Sequence, residues 1–397
     1  MLKVTINNIF LILFFLIIGI NTGSSTCYLL LFIIIILFIL RTSKFFIKVK
    51  LLDFVAGSFL LLWLYGLILG FAYGNKVSYI IANNAGMVLY ILYYILLQIR
   101  ISREKIYHLL LIAGLSNSII TILLFVLSII GIPPESTKVI LGEAIGGAST
   151  GQRRIYFISQ IALYCPMAVY MTAFIASTYQ KVELFGMRGL RDNVKVFFAF
   201  LFYTICVLLL TASKGFMLGY IFILLILPFS IFFKGISQGL VNKKIIFLIL
   251  LIPILLGLLL SLGYFNILTA IFDSNDDANV ARYEQLYYLL QDLTFWGKGL
   301  GAVIPGYARN ADKPYGFELS YLALWHKFGI FSLIAIVSYL VTIKTAISNI
   351  MSGKNAKYAI ISLGSMCYLL PSIGNPLLFA PQAVTLHCMA LYLLRND

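Results

Sequence analysis

Charge is what this sequence has least of. Lys, Arg, Asp and Glu make up 11% of its 397 residues, and histidine occurs 3 times. No hydrophilic stretch is long enough to bury a core of its own, which excludes the soluble globular classes. Cysteine is sparse and odd in number: the 5 residues Cys27, Cys165, Cys206, Cys367 and Cys388 each fall inside an apolar run. With no CxxC pair, a disulfide framework is not expected, and these thiols read as buried small hydrophobes. The start, Met1-Leu2-Lys3 and then an apolar run over 9–20, resembles a secretory leader but lacks a small-residue cleavage site. An uncleaved first helix is the expectation. No internal repeat is visible either, which argues against the paired broken helices of repeat-built transporters.

Apolar length is what the chain has instead. Hydrophobic residues reach 61%, and runs near the ~20 residues that cross a ~30 Å hydrocarbon layer recur from end to end. They lie at 5–21, 26–40, 51–73, 77–99, 106–131, 155–179, 196–211, 216–233, 245–272, 328–347, 358–372 and 376–394. The expected fold is all-α, a polytopic transmembrane helix bundle forming a single integral membrane domain over 1–397, with about twelve spans. Basic residues gather on alternate connections: Arg41, Lys44, Lys48 and Lys50, then Arg100, Arg103 and Lys105, then Lys181, Arg188, Arg191 and Lys195. Acidic residues favour the opposite set. By the positive-inside rule both termini are cytoplasmic, and the loops 132–154 and 273–317 face the exterior. The net charge of +15 then reports orientation, and nucleic acid is not an expected partner.

The longest break in the apolar pattern, Asp273 to Gly316, holds most of the candidate chemistry. Within 279–293, Tyr283, Leu286, Tyr287 and Leu290 recur at helical spacing, while Arg282, Gln285, Tyr288 and Asp292 share the other side. Such a helix is expected to lie in the membrane interface, apolar face down, with Arg282 facing water. Arg282 reads either as a snorkelling surface arginine or as an anion contact. Trp296-Gly297-Lys298-Gly299-Leu300-Gly301 is a tight glycine turn returning the loop to the bilayer, with the wrong spacing for a dinucleotide fingerprint. Glu318 stands where the loop becomes helix again, as an acid favoured by the helix dipole or as a reactive carboxylate. His326, two turns on, reads as an interface residue or a substrate contact. Arg153 and Arg154 precede a span, and Lys214 sits in the short turn Thr211-Ala212-Ser213-Lys214-Gly215. Basic groups on the exterior side run against the orientation bias, a hint that they bind an anion. Asp273, Asn275, Asp277 and Glu284 imitate a calcium loop, but Ala278 stands where its sharp turn needs glycine, so neither a metal nor a cofactor is expected.

Taken in order, four of these pieces resemble the O-antigen polymerase and O-antigen ligase superfamily of bacterial inner membranes, the Wzy-like enzymes. They are the basic pair Arg153 and Arg154, the T-x-S-(R/K)-G turn at 211–215, and a large external loop carrying Arg282 and then Gly297, Gly299 and Gly301. The last is a polar residue heading a helix, Glu318 through Tyr321-Leu322 to Gly329-Ile330. The resemblance covers roughly residues 150–350. It implies glycosyl transfer at the outer face of the cytoplasmic membrane from undecaprenyl-diphosphate-linked oligosaccharide, with a chain-length regulator as a candidate partner. The expected catalytic residues are Arg282, at the diphosphate, and Glu318, as base for the acceptor hydroxyl. Arg153, Arg154, Lys214, Tyr283, Tyr321 and His326 are expected to bind substrate. Lys214 replaces the family's more usual arginine, and Glu318 stands where ligases have histidine, which favours a polymerase. An O-antigen ligase and a polysaccharide flippase or other secondary transporter are the alternatives.

Overall fold

The computed structural model of the chain describes residues 2–20, 24–41, 49–84, 86–130, 158–178, 182–187, 189–207, 214–237 and 277–395. Every regular element among them is helical. In chain order these are α1 (Leu2–Gly19), α2 (Ser24–Arg41), α3 (Leu51–Ala72), α4 (Val77–Asn84), α5 (Ile91–Ile99), α6 (Arg103–Ile129) and α7 (Tyr164–Thr178). They continue with α8 (Asn193–Ile205), α9 (Lys214–Ser237), α10 (Asp277–Asp292), α11 (Ser320–Phe328), α12 (Ser332–Ser352), α13 (Ala356–Ser365) and α14 (Pro381–Leu394). The apolar runs expected from the sequence fall wholly or partly on helix, apart from 245–272, which lies outside the described residues.

Local chemistry sets several helix starts. At α3, Lys50 stays extended and the Asp53 carboxylate accepts its backbone N–H at 2.7 Å, satisfying a donor that the first turn leaves open. At α8, the Asp192 carboxylate accepts from the N–H groups of Val194 and Lys195, both at 3.2 Å. Six helical stretches among the described residues are long and apolar enough to cross a membrane: Leu51–Ala72, Val77–Ile99, Arg103–Leu127, Gln160–Ser177, Ser320–Ser352 and Ala356–Ile373. Phe54, Leu61 and Ile68 on α3 and Leu333, Val337 and Leu340 on α12 point outward from the packed core. Apolar faces of this length, uncovered on the longest helices, belong against lipid. The molecule is a helical protein of membrane type.

The core centres on α14. Almost all of its residues are buried, as expected of a helix apolar on every side, and it packs against α1, α5, α6, α12 and α13. All five cysteines are buried, and none is joined in a disulfide.

Two polar clusters mark opposite ends of the bundle. At one end, the buried Asp53 carboxylate accepts from Arg395 Nε at 2.9 Å and from the Tyr93 hydroxyl at 2.5 Å. Glu104, at the start of α6, takes Lys357 Nζ at 2.5 Å. α3 begins at this end and rises for about 33 Å at ~1.5 Å per residue. Its far end, at Gly66 and Gly70, meets the loop that carries the candidate site.

Candidate functional site

The loop 293–319 is built as a wedge. Lys298 N donates to His326 O, Gly299 N to Lys327 O and Leu300 N to Gly66 O, each at 2.8 Å, so the glycine turn is bonded to both α3 and α11. Asn75 Nδ2 clamps it from outside by donating to Lys298 O and Leu300 O, both at 2.9 Å. Gly299 has φ +79°, and a Cβ there would fall on the Gly70 backbone. A side chain has no room at that crossing, which is why the turn is glycine-rich.

Asp292, the last residue of α10, holds the wedge down. It accepts from Lys298 Nζ, and its other oxygen lies 2.8 Å from His326 Nε2. His326 is fully buried beneath the loop, against the edge of Phe317. It has no exposed surface, and its pairing with Asp292 ties α11 to the end of α10.

With the wedge fixed, α10 presents its polar side inward. Tyr283, Tyr287 and Leu290 stay uncovered by protein, as the interfacial face expected of this helix requires, whereas Arg282, expected to face water, turns toward Glu318 and is 28% exposed. The reason is pairing: Arg282 Nε donates to Gly374 O at 3.2 Å, and Nη1 donates to Asn279 Oδ1 at 3.1 Å. Glu318 Oε2 lies 3.3 Å from Arg282 Nε, at ion-pair distance but outside hydrogen-bond alignment. Tyr283 therefore stands on the outward face, apart from the Arg282–Glu318 pair.

Glu318 has a second cation. Its Oε1 lies 2.7 Å from Arg309 Nη2, so one carboxylate spans two guanidinium groups. The three side chains are 23% to 28% exposed, at the edge of the packed body. Gln285, fully buried, sets the start of this segment: its Oε1 accepts the N–H groups of Glu318 at 2.9 Å and Leu319 at 3.0 Å. Tyr307 stacks on Tyr288 with ring centroids 5.0 Å apart, and its hydroxyl donates to Ala281 O at 3.3 Å. Burial pushes the Tyr307 phenol up from its ordinary value, with Arg309 opposing, so it stays a neutral donor.

The floor is the segment 371–375 between α13 and α14, a single 3-10 turn (Pro371–Ile373) followed by Gly374 and Asn375. Ser320 Oγ donates to Asn375 O at 2.7 Å, and the Tyr321 hydroxyl donates to Leu369 O at 2.8 Å. A Cβ on Gly215 would come within 2.8 Å of Asn375 Nδ2, and one on Gly374 within 3.4 Å of Arg282 Nε. The start of α9 at Lys214 thus approaches this floor from one side and Arg282 from another. Arg153 and Arg154 lie outside the described residues.

Sequence reasoning brought Arg282, Glu318 and the Lys214 turn toward one place. It missed Arg309, which sits in a loop without periodicity, and it missed the floor. The floor's signal was present as Pro371, Gly374, Asn375 and Pro376, which break an otherwise apolar run. Arranged this way, the two guanidiniums suit an anionic ligand, and the carboxylate between them can accept from a hydroxyl group nearby. Compared with known proteins, the chain matches no family model and no curated sequence.

Proposed function

We propose that this chain is a glycosyltransferase of the bacterial cytoplasmic membrane, a polymerase that joins oligosaccharide units carried on undecaprenyl diphosphate. The observation that carries the reading is the Arg282–Glu318–Arg309 cluster, seated where the starts of α9 and α11 meet the segment 371–375. It lies at the end of α3 opposite Asp53 and Arg395. In this reading both termini are cytoplasmic and the loop is external, the orientation that the basic residues favour, within a bundle of about twelve spans.

The chemistry follows from the charges. An acceptor hydroxyl oxygen attacks the anomeric carbon, and the bond from that carbon to the diphosphate oxygen breaks. The electron pair departs on the diphosphate, where Arg282 and Arg309 stabilise the growing charge. The hydroxyl proton passes to Glu318, once its carboxylate is released from the guanidiniums. The stacked Tyr288–Tyr307 pair offers an aromatic surface for sugar rings beside this centre.

Polymer chain length on gels from Arg282→Ala and Glu318→Gln cells tests the assignment. Both should lose the ladder, and wild-type ladders in both would remove it. Deleting the gene separates polymerase from ligase: the first loss leaves single units attached, the second leaves no attached glycan. A transporter reading has one observation in its favour, a buried polar group between helices. His387 is fully buried, with Nδ1 2.7 Å from the Tyr90 hydroxyl and Nε2 3.1 Å from Thr342 Oγ1. Under that reading, deletion leaves the lipid-linked units on the cytoplasmic face.

A further inference from the structure

The geometry points to Arg309 and Arg282 as a two-guanidinium seat for a diphosphate, which Glu318 occupies in the resting chain as an internal, displaceable anion. The inference rests on the glycosyl-transfer reading and deepens it by naming what holds the seat before the donor arrives. Glu318 divides its two oxygens between two cations, Oε1 at 2.7 Å from Arg309 Nη2 and Oε2 at 3.3 Å from Arg282 Nε. One carboxylate charge between two guanidiniums leaves a positive charge uncompensated. A diphosphate diester, with a charge on each phosphate, matches both.

The unmet hydrogen bonds agree. Arg309 Nη1 and Glu318 Oε2 are each buried without a hydrogen-bond partner, and the two side chains are paired to each other through their other atoms. An open guanidinium donor beside a carboxylate oxygen that no donor reaches marks a poorly matched occupant, since donor and acceptor are both present and not aligned. The non-bridging oxygens of a diphosphate, spread over two phosphates, can face both guanidiniums at once. Arg309 suits the role by its planar fork, which binds phosphate oxygens in pairs. Displacement has a chemical consequence as well. Arrival of the diphosphate frees the Glu318 carboxylate beside the bond that is to break, so the base becomes available only when the donor is seated.

The test is direct binding, separate from polymer formation. Purified full-length chain in detergent is titrated calorimetrically with inorganic pyrophosphate at fixed ionic strength, with inorganic phosphate as comparator. Glu318→Gln should bind pyrophosphate about tenfold tighter or more, since the competing anion is gone. Adding Arg309→Ala to that variant should lose about tenfold or more, and Arg309→Lys should restore only part. Unchanged or weaker binding by Glu318→Gln overturns the proposal, as does equal affinity of that variant for phosphate and pyrophosphate. Gel filtration checks the fold of each variant, and Glu318→Ala takes the place of Glu318→Gln if the latter aggregates. The two readings fail separately. The expected titrations in a protein whose Arg282→Ala cells still polymerise keep the seat and remove glycosyl transfer. Flat titrations with a lost ladder do the reverse.

Discussion

Replacing Asp292 by alanine should release the loop that carries half of the candidate site. Asp292 accepts from Lys298 Nζ and pairs with His326 Nε2 at 2.8 Å, and His326 is fully buried. His326 Nδ1 already has no partner, so the substitution leaves both ring nitrogens buried and unbonded. An orphaned buried polar group costs about 1–3 kcal/mol. Lys298 is 25% exposed, so its lost ion pair adds only about 0.5–1 kcal/mol after solvent screening. The expected destabilisation is about 2–4 kcal/mol for Asp292→Ala and about 1–2 kcal/mol for Asp292→Asn, which keeps an acceptor. Unfolding in mixed micelles of mild detergent and SDS measures both. A double-mutant cycle with His326→Ala should show coupling of about 1 kcal/mol or more. An Asp292→Ala protein within about 0.5 kcal/mol of the parent would show that the wedge is held by its backbone bonds alone, and the anchoring argument would fail.

Three further outcomes follow from the same contacts. Gly299→Ala, at φ +79° with its Cβ on the Gly70 backbone, should cost about 3 kcal/mol or more, whereas Gly306→Ala, at φ +77° with nothing within 4 Å, should cost only about 1–2 kcal/mol. Equal unfolding midpoints for the two would show that the close crossing is unimportant. Asn75→Ala strips the donors from Lys298 O and Leu300 O and should cost about 1–3 kcal/mol, with polymer length shortened in the same cells. Arg395→Ala removes the partner of buried Asp53 at the far end of α3 and should cost about 2–3 kcal/mol, the Tyr93 and Lys50 bonds remaining. Its remaining folded protein should give a normal ladder, because the site lies at the other end.

How far the site was legible follows from where its residues sit. Arg282 and Gln285 share one face of a helix whose periodicity is visible, so they could be grouped from spacing alone. The direction of that face could not be read. Arg282 was expected to face water, but it turns toward the protein, because Glu318, Asn279 and Gly374 O pair with it there. Arg309 gave no local signal, since its role comes from a partner nine residues away across an irregular loop. His326 read as an interface residue or a substrate contact and Asp292 as part of the polar side of a helix, and only their 2.8 Å contact makes them an anchor.

The sequence by itself determined the helical, membrane-type character, because a backbone in hydrocarbon must satisfy its hydrogen bonds within the segment, and long apolar runs permit little else. It also marked the charged break at 273–317 as the exceptional segment. The tertiary structure decided which apolar helix is buried by protein and which is left uncovered: α14 lies at the centre, and α3 turns Phe54, Leu61 and Ile68 outward. Composition cannot separate those cases, since lipid and protein interior ask for the same side chains. It decided, too, that Arg282, Arg309 and Glu318 meet. Ion pairs form between residues that the packing of distant helices brings together, and that packing is a property of the whole bundle.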